Sequence, residues 1–158
     1  MTKILFSRLL KFWGLHLVMI VVGMLVMALN GGLQSLFTDG LADRVTLIAS
    51  LIVTALYFTL FFRASRKMLR SLKEGLVVGL LTILPLLLII AAALLYLQKV
   101  PYNTIGYGMI LLPVTLPFYG WFSEVFPVLP FHVLALAVPA VLLAAVLAGS
   151  SMSAPGSR

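Results

Sequence analysis

The chain of 158 residues contains no cysteine, two histidines and only four acidic residues. Without cysteine, disulfides, thiolate metal sites and a membrane dithiol relay are excluded. The carboxylates are scattered among different connections, at Asp39, Asp43, Glu74 and Glu124. Membrane enzymes that act on lipids, peptides or phosphates need clustered acids, histidines or nucleophiles. We therefore expect no enzymatic activity.

Charge is equally sparse, at 9% of residues, whereas 63% are hydrophobic. A soluble fold of this size buries only about two-thirds of its surface, so the surplus apolar surface must face lipid. The net charge of +7 does not indicate nucleic acid, because the basic residues lie between apolar segments without a solvated recognition face. The composition predicts an all-α integral membrane protein whose surroundings are membrane lipids.

Apolar runs long enough to cross a bilayer recur along the chain. The predicted spans are about 12–33, 45–62, 75–97, 105–121 and 131–148. The tail, 149–158, is rich in Ser, Gly and Pro and is predicted to be disordered. One transmembrane domain, residues 1–148, is expected.

The C-terminal half is interrupted by prolines. Pro113 and Pro117 fall in the fourth run, and Pro127 and Pro130 follow it. Five crossings are the preferred interpretation. Four crossings result if 105–126 enters the membrane and returns on the same side, which is tolerated where protein or water covers the broken backbone.

The distribution of Lys and Arg predicts the orientation. Three basic residues precede the first span and five lie in the loop 63–74, against Arg44 and Lys99 in the alternate connections. Basic residues in short loops are retained in the cytoplasm. The N-terminus and the loop 63–74 are therefore predicted to be cytoplasmic, in a multi-pass protein of the cell (inner) membrane. With five crossings, the tail would lie outside.

The loop 63–74 is the most patterned polar segment. At about 100° per residue its basic side chains share one arc of a helix, opposite Ala64, Met68, Leu69 and Leu72. The candidate contact residues for a partner or lipid are Arg63, Arg66, Lys67, Arg70 and Lys73. Such a surface suits anionic lipid or an acidic cytoplasmic partner, although retention of the loop in the cytoplasm explains it as well.

Residues 104–108, Thr-Ile-Gly-Tyr-Gly, resemble the selectivity-filter signature of potassium channels, T-V/I-G-Y-G. The resemblance implies that backbone carbonyls at Thr104, Gly106 and Gly108 replace the hydration shell of an ion. It covers five residues only. A pore helix should precede the filter, but only 98–103 separates it from the third span, and Pro101 interrupts that stretch.

Three ionisable residues in or near the apolar runs are further candidates. His16 and His132 together could ligate a b-type haem, although a lone histidine near a membrane interface usually serves as a polar anchor. Glu124 could be a cation or proton site on an ion pathway if it faces a cavity. A solvated turn is the alternative position for it.

Small and hydroxylated residues at helical spacing predict helix contacts, because they let helices approach closely in lipid. The predicted contact faces are Thr46, Ser50, Thr54 and Tyr57 on the second span, Gly75 and Gly79 on the third, and Ala140, Ala144 and Ala148 on the last.

Together these features favour a small accessory or scaffold subunit that packs against other membrane subunits or itself and presents the basic loop to a partner. The alternative is a small oligomeric transporter or channel that uses residues 104–108 and Glu124. Sparse polarity within the membrane favours the first hypothesis.

Overall fold

The computed structural model describes residues 3–36, 40–101, 104–118 and 131–152, with only the backbone for 104 and 131–134. Within these ranges the chain is helical and contains no strand. The helices are α1 (Lys3–Leu36), α2 (Leu41–Met68), α3 (Leu72–Lys99), α4 (Thr104–Thr115) and α5 (Phe131–Ser151), with a 3₁₀ turn at Leu116–Phe118 after α4. The predicted all-α class is confirmed.

Three helices, α1, α2 and α3, are long and apolar enough to cross a membrane, which supports a membrane protein. With 34, 28 and 28 residues, they measure about 51, 42 and 42 Å, more than the ~30 Å hydrocarbon layer. The first predicted span ends near Gly31-Gly32, but α1 continues to Leu36. A glycine costs a helix about 1 kcal/mol relative to alanine, which does not outweigh keeping backbone hydrogen bonds inside the helix.

The fourth predicted span, 105–121, differs most from the structure. Helix α4 has 12 residues, about 18 Å, too short to cross the hydrocarbon layer. It ends because Pro117 has no N–H to donate to the carbonyl of Pro113, and the chain tightens into the 3₁₀ turn. Residues 119–121 of the predicted span lie outside the described residues.

Helices α3 and α5 pack antiparallel through glycine. A Cβ at Gly75 would lie 2.1 Å from Ser150 Oγ, and one at Gly79 would lie 2.7 Å from Leu143 Cδ1. Both distances are too short for any side chain without displacement of the neighbour. The predicted contact role of Gly75 and Gly79 is confirmed.

The C-terminal end of α5 also meets the end of α2. A Cβ at Gly149 would lie 2.4 Å from the carbonyl oxygen of Phe62. The end of α5 therefore lies beside the end of α2 and the beginning of α3, at the same end of the bundle as the basic loop. The five-crossing interpretation places these features at opposite ends.

Two predicted packing faces have different outcomes. On α2, Thr46, Ser50 and Tyr57 are buried and Thr54 is half-buried, as predicted. On α5, Ala140, Ala144 and Ala148 are exposed, so they do not form the predicted contact face with the other described helices, and their role at a subunit interface stays a prediction. The buried face of α5 is instead formed by Ala135, Val138, Leu142 and Val146. Val146 of this face packs beside Gly79 of α3, while Gly149 allows the close approach of α5 to α2.

Candidate functional site

Residues 63–73 form the corner between two long helices. Helix α2 continues to Met68, and α3 begins at Leu72. The buried Leu69 anchors the corner, and Ser71 caps α3 because its Oγ accepts the backbone N–H of Glu74 at 3.2 Å. The predicted amphipathic connection is thus the end of α2 and a tight turn into α3, not a separate helix.

All five predicted contact residues of this loop have exposed side chains. The first turns of α1 add two exposed lysines at the same end of the bundle. We call this set the basic end: Lys3, Lys11, Arg63, Arg66, Lys67, Arg70 and Lys73. Its cations come from the starts of α1 and α3, the last turns of α2 and the corner, so the positive charge surrounds the end of the bundle and is not confined to one helix face.

Within the part of the chain that the structure describes, the carboxylate at this end is Glu74, and it is already engaged. Its Oε1 forms an ion pair with Arg8 of α1, with 13% and 22% of the Arg8 and Glu74 side chains exposed. Its Oε2 accepts the backbone N–H of Arg70 at 2.8 Å. Glu74 therefore ties α1 to the corner.

The pair of Arg8 and Glu74 was not predicted from the sequence. One half of it was detectable, because Ser71-Leu72-Lys73-Glu74 has the S-x-x-E pattern of a capping box at the start of α3. The other half was not, because Arg8 is 66 residues away in the sequence. Only the packing of α1 against α3 brings them together.

A second polar site lies where the end of α4 meets the middle of α1 and α2. The imidazole of His16 is 8% exposed. Its Nε2 lies 3.2 Å from the carbonyl oxygen of Pro113, and its Nδ1 lies 2.7 Å from the hydroxyl of Tyr57. We call these three groups the mid-bundle junction.

The chemistry of the partners fixes the neutral tautomer of His16. A carbonyl only accepts, so Nε2 carries the hydrogen and donates it to Pro113. Nδ1 then accepts from the Tyr57 hydroxyl. The Pro113 carbonyl needs such a donor because Pro117 occupies the position whose N–H would bond to it in a regular α-helix. The histidine thus satisfies a polar group exposed by the proline.

Glycine makes the junction sterically feasible. A Cβ at Gly23 would lie 2.1 Å from the carbonyl oxygen of Leu116, a distance that no side chain can occupy. Because the blocking atom belongs to the backbone, it cannot move as a flexible side chain would. The 3₁₀ turn therefore packs directly on the backbone of α1, two helical turns beyond His16.

Aromatic rings enclose the junction. Tyr57 stacks on Phe61 with ring centroids 4.7 Å apart and meets the edge of Phe118 at 5.1 Å. Phe12 packs against Phe61 at 5.7 Å. Tyr57, Phe12 and Phe61 are fully buried, so the hydrogen bonds of His16 lie in an apolar environment.

The potassium-filter resemblance falls on a helix. Residues 104–108 form the first turns of α4, where carbonyls point along the helix axis to their own backbone partners and do not converge on an ion. A Cβ at Gly106 would lie 2.5 Å from the Tyr96 hydroxyl, whereas Gly108 has open space around it. Gly106 is thus required for packing of α4 on α3. The side chain of Thr104 and all of Glu124 lie outside the described residues.

The haem hypothesis concerns the two histidines. Both ring nitrogens of His16 are occupied by protein partners, so haem ligation would require displacing one of them. His132 is in the first turn of α5, and its side chain lies outside what the structure describes. Over the described ranges, no group of three or more His, Asp or Glu side chains is arranged to hold a metal ion.

No family model, no curated protein and no solved structure matches the chain. Function is therefore inferred from the basic end and the mid-bundle junction themselves.

Proposed function

We propose that the chain crosses the membrane four times, through α1, α2, α3 and α5, and that α4 enters the membrane from the side at which α3 ends without crossing it. Four contacts support this topology. Helix α4 begins beside Tyr96, near the end of α3, and it ends at His16, in the middle of α1. On the antiparallel helices α3 and α5, Gly75 lies beside Ser150 and Gly79 beside Val146. If this register continues along both helices, Phe131 at the start of α5 lies at about the level of Leu94 on α3.

The start of α4 and the start of α5 thus both lie toward the end of the bundle at which α3 ends, opposite the basic end. This is the four-crossing alternative derived from the prolines, and the junction supplies the protein cover that a broken backbone needs in lipid. With the basic end in the cytoplasm, both termini are cytoplasmic. The location that fits is the cell (inner) membrane.

The function we propose is that of a non-catalytic accessory or scaffold subunit. Its bundle packs against other membrane subunits or itself, and its basic end contacts an acidic cytoplasmic partner or anionic lipid. The observation that carries this proposal is the exposure of seven cations around one end of the bundle, beside a carboxylate that Arg8 already neutralises. Clusters of four to eight Lys and Arg at a cytoplasmic membrane surface attract anionic lipid by about 1 kcal/mol for each basic residue.

The test is co-purification. The variant Arg63→Gln/Arg66→Gln/Lys67→Gln/Arg70→Gln is extracted in mild detergent beside the wild type, and bound proteins and lipids are identified by mass spectrometry. We expect the variant to lose stoichiometric partners or anionic lipid. Arg8 is left intact because it holds Glu74. The control is Arg44→Gln/Lys99→Gln at the opposite end, which should bind as the wild type does. Unchanged binding by the quadruple variant contradicts the proposal.

The channel hypothesis is addressed by a flux measurement. The helical backbone of residues 104–108 gives that hypothesis no support. We expect the purified protein in liposomes to pass no ion or small solute selectively. A selective flux that Glu124→Gln abolishes would replace the accessory function with a transport function.

A further inference from the structure

His16 is a buried ionisable side chain in the middle of a helix long and apolar enough to cross a membrane. Ionisable groups at this depth are rare, and they mark proton relays and ion sites more often than surface ones do. We propose that the mid-bundle junction is a proton-binding site, in which His16 takes up a proton at Nδ1 while its Nε2–H remains on the carbonyl of Pro113.

The junction accommodates both charge states without exchanging partners. In the neutral state Nδ1 accepts a hydrogen bond from the Tyr57 hydroxyl. When a hydronium ion gives its proton to Nδ1, an N–H bond forms, an O–H bond of the hydronium breaks and a water molecule is left. The hydroxyl then rotates, so that its oxygen accepts the new N–H over the same 2.7 Å. Since a hydroxyl both donates and accepts, Tyr57 serves either state, whereas phenylalanine would serve neither.

The end of helix α4 stabilises the positive charge of protonated His16. Pro113 lies in the last turn of α4, where the carbonyl ends of a helix carry partial negative charge and favour a cation. Pro117 leaves the Pro113 carbonyl without its helical donor, so that carbonyl is free to accept from the imidazole. Ends of discontinuous helices hold protons and sodium ions in transporters by the same physics.

The groups that face His16 come from each helix packed around it. From α2 the titratable group in contact is Tyr57, and from α4 it is the uncharged Pro113 carbonyl. On α1, Arg8 and Lys11 lie one to two turns toward the N-terminus. On α3, Glu74 is held by Arg8. Among the described residues no carboxylate bonds to His16, so the helix end and the hydroxyl are the groups that would stabilise the imidazolium.

The experiment is ¹⁵N NMR of the histidine side chain in detergent micelles or bilayers. His132→Gln leaves His16 as the one histidine. At pH ~8 we expect the neutral tautomer with hydrogen on Nε2, and as the pH is lowered from ~8 to ~4 we expect conversion to the doubly protonated form. A His16 that stays neutral throughout this range, in a protein that remains folded, overturns the proposal.

A second variant separates proton binding from a purely structural role. Tyr57→Phe removes a hydrogen bond from both charge states, but the bond from the charged imidazolium is the stronger one, so the titration midpoint should fall by about half a pH unit to one unit. Tyr96→Phe removes a hydroxyl at the far end of the bundle and should leave the midpoint unchanged. The pH 8 spectrum verifies the fold of each variant. Equal midpoints in the two variants contradict the proposed role of Tyr57.

Discussion

Two contacts in the bundle bring helices together in different ways. One joins α3 to α5, and the other joins the end of α4 to α1 and α2. In the first, Gly75 and Gly79 let side chains of α5 fill the space above them. The second combines a glycine, Gly23, with hydrogen bonds from His16 to a proline-broken backbone. In lipid, hydrophobicity cannot pull helices together, so a regular helix needs only close packing, whereas a broken one also needs polar partners.

The largest effect is expected at Gly23. Gly23→Ala places a Cβ against the backbone carbonyl of Leu116, which cannot rotate away, so we expect a loss of about 2–3 kcal/mol in the free energy of unfolding. The matched control is Gly14→Ala on the same helix, where nothing lies within 4 Å. That change should stabilise by about 0.5–1 kcal/mol. Reversible unfolding in mixed micelles measures both, and equal effects would show that the 3₁₀ turn does not rest on α1.

A substitution in the contact between α3 and α5 should destabilise the protein less, because the opposing atoms there belong to side chains. Gly75→Ala brings a Cβ against Ser150 Oγ, and we expect a loss of about 1–2 kcal/mol. Combining it with Ser150→Gly removes the opposing atoms and should restore part of that loss. A double-mutant cycle in the same unfolding assay reports the coupling. Strict additivity would mean that the two positions are not in contact.

The ion pair at the basic end should give a smaller effect of about 1 kcal/mol, since the amide oxygen of a glutamine at position 74 can still accept hydrogen bonds and Arg8 can reach water at the end of the bundle. Glu74→Gln leaves the mostly buried Arg8 without its carboxylate. Arg8→Gln in the same chain should recover stability, because no charge then remains unpaired. Asp43→Asn is the control, since Asp43 makes an exposed 3.3 Å hydrogen bond with Gln34. A Glu74→Gln variant as stable as the control would assign the pair no role in joining α1 to α3.

Local patterns predicted much of this architecture. Apolar run length predicted α1, α2 and α3, and residue size predicted the buried Gly75 and Gly79 and the polar face of α2. These features depend on residues a few positions apart, where helical periodicity is informative.

Features that depend on distant residues were not predictable in the same way. Whether the proline-rich segment crosses or returns decides the direction of α5, and run length alone does not distinguish the two. The exposed alanines of α5 show that small size does not determine which face is buried. The bond between His16 and Pro113 joins residues 97 positions apart, and only the break at Pro117 gave a local sign that an exposed carbonyl needed a donor.

The four-crossing topology requires α5 to end at the same side of the membrane as the basic end, and cysteine labelling tests this directly. Because the chain has no cysteine, single replacements at Lys67, Lys99 and Met152 give unambiguous sites for a membrane-impermeant maleimide. We expect Cys at 67 and 152 to react only after the cytoplasmic face is opened, and Cys at 99 to react in intact cells. Labelling at 152 in intact cells, with 67 protected, would contradict the four-crossing topology.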